Sequence, residues 1–162
     1  MKFKKVKVKR RREGKTDYKA RALFLKSKFP RLVIRKTNRY IIMQIISSKE
    51  AKDFTNFGIT SKILSSFGWK SSFKNIPAAY ATGLVFGKKA IEKGIKKAIL
   101  DSGIIRSTKG SKIYAAVKGA KDSGLAIECN EKIYPSESRV LGEDTKDKDS
   151  VKEIINKLKQ GK

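Results

Sequence analysis

The chain has 162 residues, 39% of them apolar and 34% charged, with a formal net charge of +25. That length suits one domain with tails and is enough to bury a core, while so large a charge excess calls for a polyanion, either nucleic acid or an anionic surface. A single cysteine, Cys129, excludes an internal disulfide, and the absence of histidine removes the commonest metal ligand and general base.

The excess is local. Residues 1–127 hold 32 Lys and Arg against 7 acids, whereas residues 128–162 hold 8 of each. No apolar run is long enough to span a bilayer, and no apolar segment follows the basic N-terminus as a secretory signal requires. A soluble protein of a reduced, cytoplasmic compartment is expected.

Residues 1–12, MKFKKVKVKRRR, carry eight positive charges and no acid. Phe3, Val6 and Val8 are too few to bury a strand, so a mobile arm that orders on a polyanion is expected. Thr16-Asp17 offers an N-cap for a helix over Tyr18–Phe29, with Tyr18, Ala22, Leu25 and Phe29 at helical spacing and Pro30 as its stop.

Leu32-Val33-Ile34 and Tyr40-Ile41-Ile42-Met43, joined by Lys36-Thr37-Asn38-Arg39, predict a β-hairpin. Arg31, Val33 and Arg35 share one face of its first strand, and Leu32 and Ile34 take the other. The second strand is apolar on both faces, apart from Tyr40 and Gln44, so it belongs inside a sheet. A third strand is expected over Ala51–Thr60, ended by Gly58. Connecting structure with a short helix follows over Ser61–Ser72, including Phe67-Gly68-Trp69. As a lone tryptophan, Trp69 reads first as a core filler and second as a base-stacking platform.

Asn75 caps the clearest helix, reaching to Ile95, with Pro77 in its first turn. Gly83 and Gly87 lie inside it, where each glycine costs about 1 kcal/mol relative to alanine, so a close packing contact is expected. Lys97–Asp101 is a short strand, and strand–helix–strand implies a parallel crossover. A second helix over Ser111–Gly124 presents Ile113, Ala116, Val117 and Ala120 inwards. Leu125–Pro135 reads as irregular or weakly extended. The expected class is α/β: a single small domain with a mixed sheet packed against helices and a basic extended N-terminal arm. The divisions are a basic arm at 1–15, an α/β domain at 16–141 and a charged C-terminal tail at 142–162, with a short amphipathic helix from Val151 to Leu158.

Catalytic chemistry finds little to work with. Asp101 and Asp122 have no paired carboxylate nearby in sequence, and Cys129 stands in a neutral-to-acidic stretch that disfavours a thiolate. GLVFGKKA lacks the glycine spacing and the hydroxyl residue of a phosphate loop. No catalytic residue, metal site or cofactor is expected. What is present suits RNA: Arg10, Arg11, Arg12, Arg21, Arg31, Arg35 and Arg39 fall in one thirty-residue window. A guanidinium presents a planar fork to phosphates and stacks on bases, and the interleaved Tyr18 and Tyr40 either stack likewise or pack at the sheet edge. No helix combines a base-reading face with a helix-turn-helix pattern, which leaves sequence-specific DNA binding without support.

RRREGKTDYKAR at 10–21, PRLVIRKTNRYIIMQI at 30–45, FGWK at 67–70, NIPAAYATGLVFGKKAIEKGI at 75–95, AILDSGI at 98–104, IYAAVKGAKDSGL at 113–125 and IYPSESRVLGE at 133–143 occur in one order. Together these blocks resemble the universal L-eighteen family of large-subunit ribosomal proteins, in the branch shared by archaea and the eukaryotic cytosol. The resemblance covers about residues 5–145. It implies a structural, non-enzymatic protein that binds 5S ribosomal RNA and helps attach it to large-subunit RNA in the central protuberance, beside neighbouring ribosomal proteins and no membrane. By resemblance the contacts are Arg10, Arg11, Arg12, Lys15, Tyr18 and Arg21 in the extension, and Arg31, Arg35, Lys36, Asn38 and Arg39 on the hairpin. Trp69 and Lys70 are weaker members. The chain departs from the family at Ala126–Asn130, where a proline and often a histidine are usual. The long C-terminal extension of eukaryotic members is missing, which points to the archaeal-like form. The alternative is a nucleic-acid-processing enzyme on a related α/β core, which would need clustered carboxylates.

Overall fold

The computed structural model describes residues 6–50, 52–145 and 147–160. Five strands form one sheet in the order β3-β2-β1-β4-β5: β1 Arg31–Lys36, β2 Ile41–Lys49, β3 Lys52–Thr60, β4 Lys97–Asp101 and β5 Ala126–Ile127. β1, β2 and β3 pair antiparallel, while β4 runs parallel to both β1 and β5. The mixed α/β sheet expected from the sequence is therefore present. β2 lies inside it, as its two apolar faces require. β3 runs on past Gly58 to Thr60.

Alternation on β1 sets the two faces. Leu32 and Ile34 are fully buried, beside Ile41, Met43 and Ile45 of β2, and all five belong to the main core. Against that face lie α3, Ile76–Glu92, and α4, Lys112–Asp122. Asn75 caps α3 by accepting from the Ala78 amide at 2.8 Å. α3 is apolar nearly all round and buried nearly all round, as such a helix must be.

Gly83 has the packing reason its cost demands. A Cβ there would overlap the Ala116 carbonyl, and a Cβ on Gly119 of α4 would overlap the Tyr80 carbonyl. The two backbones touch through reciprocal glycines, so α3 and α4 form one tight pair. Gly87 likewise faces Ser123 and Ala120.

The chain after α4 is more ordered than its sequence suggests. The stretch read as irregular or weakly extended contains the short strand β5, in keeping with the second alternative, and a 3-10 turn at Glu131–Ile133, followed by α5, Glu137–Leu141. The charged C-terminal segment forms α6, Lys148–Gln160, and Val151, Ile154, Ile155 and Leu158 bury its apolar stripe on the core. Lys88 of α3 donates its ammonium to the Leu158 carbonyl.

The N-terminus also departs from expectation. Residues 1–5 of the expected arm lie outside the described residues. Lys9–Arg12 form one helical turn, α1, because the Val8 carbonyl accepts from the Arg11 and Arg12 amides. α2 spans Tyr18–Lys26 and ends before Phe29. Asp17 caps it by accepting from the Lys19 and Ala20 amides. Neither α1 nor α2 buries a residue. The expected Tyr18-Ala22-Leu25-Phe29 stripe is not the contact face: Ala22 and Phe29 are exposed, and Phe24 turns towards Arg31 instead.

Candidate nucleic-acid interface

The guanidinium face of β1 exists as predicted, but α2 and the residues before it lie over it. Arg10, Lys15, Arg21, Phe24, Arg31 and Arg35 line a cleft of about 280 Å³ there, together with Asp53 and Asp101. Arg31 is not a free fork. Its side chain is 7% exposed and contacts Asp53 at 2.7 Å and Asp101 at 3.4 Å. Arg35 donates to the Asp101 carboxylate at 3.0 Å, and to the Asp101 and Ile34 carbonyls at 2.7 and 2.9 Å. Arg21 completes the network by meeting Asp53 at 2.9 Å.

Two of the few acids in the basic part of the chain are thus spent on fixing arginines. Burial pushes the Asp53 carboxyl up. Hydrogen bonds from Ser48 and Arg31, with the charges of Arg31 and Arg21, outweigh this and hold it below its ordinary value. A third acid, Asp122, accepts from the Tyr80 hydroxyl at 2.7 Å. Burial, then that hydrogen bond and charge, push the tyrosine up. Cys129 is half-buried beside Tyr134.

Of the N-terminal candidates, Arg10 and Lys15 line the cleft, and Arg11, Arg12 and Tyr18 lie outside it. Arg10 donates to the Thr16 hydroxyl at 2.8 Å, and Lys15 pairs with Glu13 at 2.9 Å. Arg11 and Arg12 are exposed, and Tyr18 is half-buried.

The hairpin tip is different. Thr37 closes the turn: its hydroxyl accepts from the Tyr40 amide at 2.9 Å, and its own amide donates to the Tyr40 carbonyl at 2.8 Å. This leaves Asn38 and Arg39 at the apex. Beside them the structure brings Lys70 and Lys74, and these residues with Tyr40 and Phe73 line an open concavity without an acid. Arg39, Lys70 and Lys74 form no ion pair among the described residues.

Three contacts hold the 70–74 loop in place. The buried Ser61 hydroxyl donates to the Phe73 carbonyl at 2.7 Å and accepts from the Ile41 amide at 3.1 Å. Tyr40 and Phe73 meet with ring centroids 6.0 Å apart. Trp69 is 4% exposed and sits in the core. Its ring therefore has no face open to a base, and it anchors the start of the loop that carries Lys70. Lys74 and Ser61 are not singled out by sequence reading. The spacing of Lys70 and Lys74 around Phe73 is the signal that could have found the former, and Ser61 leaves none.

A basic α/β protein whose Asp53 and Asp101 hold arginines in register, and which presents at a rigid turn cations without an ion pair among the described residues, defines a polyanion-binding scaffold. Comparison with known proteins makes the class particular. The family model described as "Ribosomal large subunit proteins 60S L5, and 50S L18" matches residues 2–97 and 90–130. Large ribosomal subunit protein uL18 of Caldivirga maquilingensis is 49% identical over 140 residues, covering 86% of this chain and 68% of that protein. The uL18 proteins of Korarchaeum cryptofilum and Methanosphaera stadtmanae are 49% and 48% identical, each over 139 residues. These alignments cover 86% of this chain and 71% and 72% of those proteins. The chain belongs to the uL18 family of large-subunit ribosomal proteins. It is a structural constituent of the ribosome and not an enzyme. Among the described residues, no helix is long and apolar enough to cross a membrane.

Proposed function

We propose that the protein holds 5S ribosomal RNA and helps attach it to large-subunit RNA in the central protuberance, next to other ribosomal proteins. The observation that carries this reading is the hairpin tip, where Asn38, Arg39, Lys70 and Lys74 surround one concavity with no acid among them. A turn fixed by Thr37, and a loop fixed by Ser61 and Trp69, present those donors in one arrangement. A preorganised fork matches one phosphate geometry better than another, so the tip confers preference for a particular RNA shape. Arg10, Arg11, Arg12 and Lys15 add phosphate contacts from the N-terminal segment, and Lys36 extends the tip along β1. Tyr18 and Arg21 flank that segment. Arg31 serves the interface indirectly, by holding Asp53 and Asp101, and Arg35 does so while keeping a partly exposed edge.

Binding isotherms of the full chain with 5S RNA and with a mixed-sequence RNA of equal length, at several salt concentrations, test this. The 5S RNA should bind more tightly at every salt concentration. The slope of log affinity against log salt should be about −0.7 to −0.9 per phosphate contacted. Equal affinity for the two RNAs would overturn the reading.

A further inference from the structure

A second concavity lies away from the hairpin tip, at the carboxyl ends of the parallel strands β1 and β4. In open α/β sheets this is where ligands settle, because the connections leaving neighbouring strands diverge there. β1 turns back into the hairpin, and β4 continues through the 102–111 loop into α4. The space between them, about 280 Å³, is lined by Lys36, Arg106, Lys112 and Arg139 at its rim, with Ile76, Ile105 and Ile113 among its apolar surfaces. No acid lines it. None of the four cations forms an ion pair among the described residues.

α4 starts at this rim, where Ser111, Lys112 and Ile113 line the space, and its N-cap residue Ser111 makes no side-chain capping bond. Gly110 has φ +70°, and Arg139 lies so close that a Cβ there would stand 3.1 Å from its Nη1. A side chain at position 110 would therefore crowd the guanidinium.

A phosphate alone would use the rim and leave the isoleucines idle, and in a chain of a ribosomal-protein family the polyanion at hand is RNA. A nucleotide uses both parts. We infer that this pocket takes one unpaired nucleotide of ribosomal RNA, with its phosphate among Lys36, Arg106, Lys112 and Arg139 and its base against Ile76, Ile105 and Ile113. RNA recognition commonly takes splayed, unstacked bases of this kind. The inference rests on the RNA-binding reading and adds a second point of attachment to it. Lys36, at the end of β1, links the two.

Full-length protein with the photoactivatable residue benzoylphenylalanine in place of Ile105 should be mixed with 5S RNA and, separately, with large-subunit ribosomal RNA. A crosslink to one unpaired nucleotide in one of these RNAs is expected. The variant R106E/R139E, altered only at exposed positions, should bind that RNA at least about tenfold more weakly at an unchanged melting temperature. No crosslink in either RNA, or unchanged affinity of R106E/R139E for both, overturns the pocket. If the wild type still prefers 5S RNA over the mixed-sequence control in that case, the hairpin-tip reading stands alone. If the wild type binds neither RNA, both fall together.

Discussion

Arg31 contacts Asp53 at 2.7 Å from a side chain that is only 7% exposed. The pair ties the start of β1 to β3 across the intervening strand, and Asp101 draws β4 into the same network. Arg31→Ala takes a charged partner from both acids but leaves Arg21 on Asp53 and Arg35 on Asp101, so it should cost about 1.5–3 kcal/mol. The melting temperature should fall accordingly, while RNA affinity per folded molecule stays close to wild type. Chemical denaturation combined with binding below the melting range would check this. A stable variant with weak RNA binding would move Arg31 into the interface.

The same network sets a pH dependence. Asp53 is held below its ordinary value of 3.8, so its contribution to stability is present above that value. It is lost as pH falls through 3.8 towards the lower folded-state value. The stability difference between wild type and Asp53→Asn should be constant from neutral pH to about pH 5 and shrink below pH 4. Thermal melts of both proteins across this range would show it.

Trp69 supports the interface from beneath. Removing its buried ring should cost about 3–5 kcal/mol of stability. Because the ring also anchors the loop carrying Lys70, a moderate loss of affinity for 5S RNA should accompany Trp69→Ala, and Trp69→Phe should recover most of both. Calorimetry and binding on the two variants would separate anchoring from direct stacking. Stacking would leave stability intact while affinity collapsed.

Much of the fold is legible in the chain because its signals are local. Asn75 and Pro77 mark the start of α3, the short apolar core of 97–101 coincides with β4, and Gly83 announces a close helix contact. Alternation along Arg31–Arg35 correctly divides the faces of β1. What alternation cannot supply is what covers a face. Arg31 reads as an RNA fork until Asp101, 70 residues away, is folded against it. The amphipathic spacing of Val151, Ile154, Ile155 and Leu158 shows a helix but not its seat on the core. α2 misleads because its attachment is ionic, through Arg21 and Asp53, and an apolar stripe was the wrong feature to follow.

Ser61 offers a sharper test of how the interface is held. Its hydroxyl bridges the Ile41 amide and the Phe73 carbonyl from a fully buried position. Ser61→Ala leaves both groups without that partner and should cost about 1–3 kcal/mol. It should also release the 70–74 loop, so preference for 5S RNA over a mixed-sequence RNA should narrow. Ser61→Thr, where the hydroxyl is kept, should retain that preference. Competition binding with the two RNAs would report it.

The central claim is that specificity lies at the hairpin tip, in cations that no acid among the described residues engages. Affinity of the Arg39→Ala/Lys70→Ala variant for 5S RNA, measured beside the mixed-sequence control, tests it most directly. Both side chains are exposed, so the fold should be untouched. Affinity for 5S RNA should fall by about 1–3 kcal/mol per residue, with a much smaller loss for the control. An equal loss for both RNAs would make the tip a general electrostatic surface and contradict the claim.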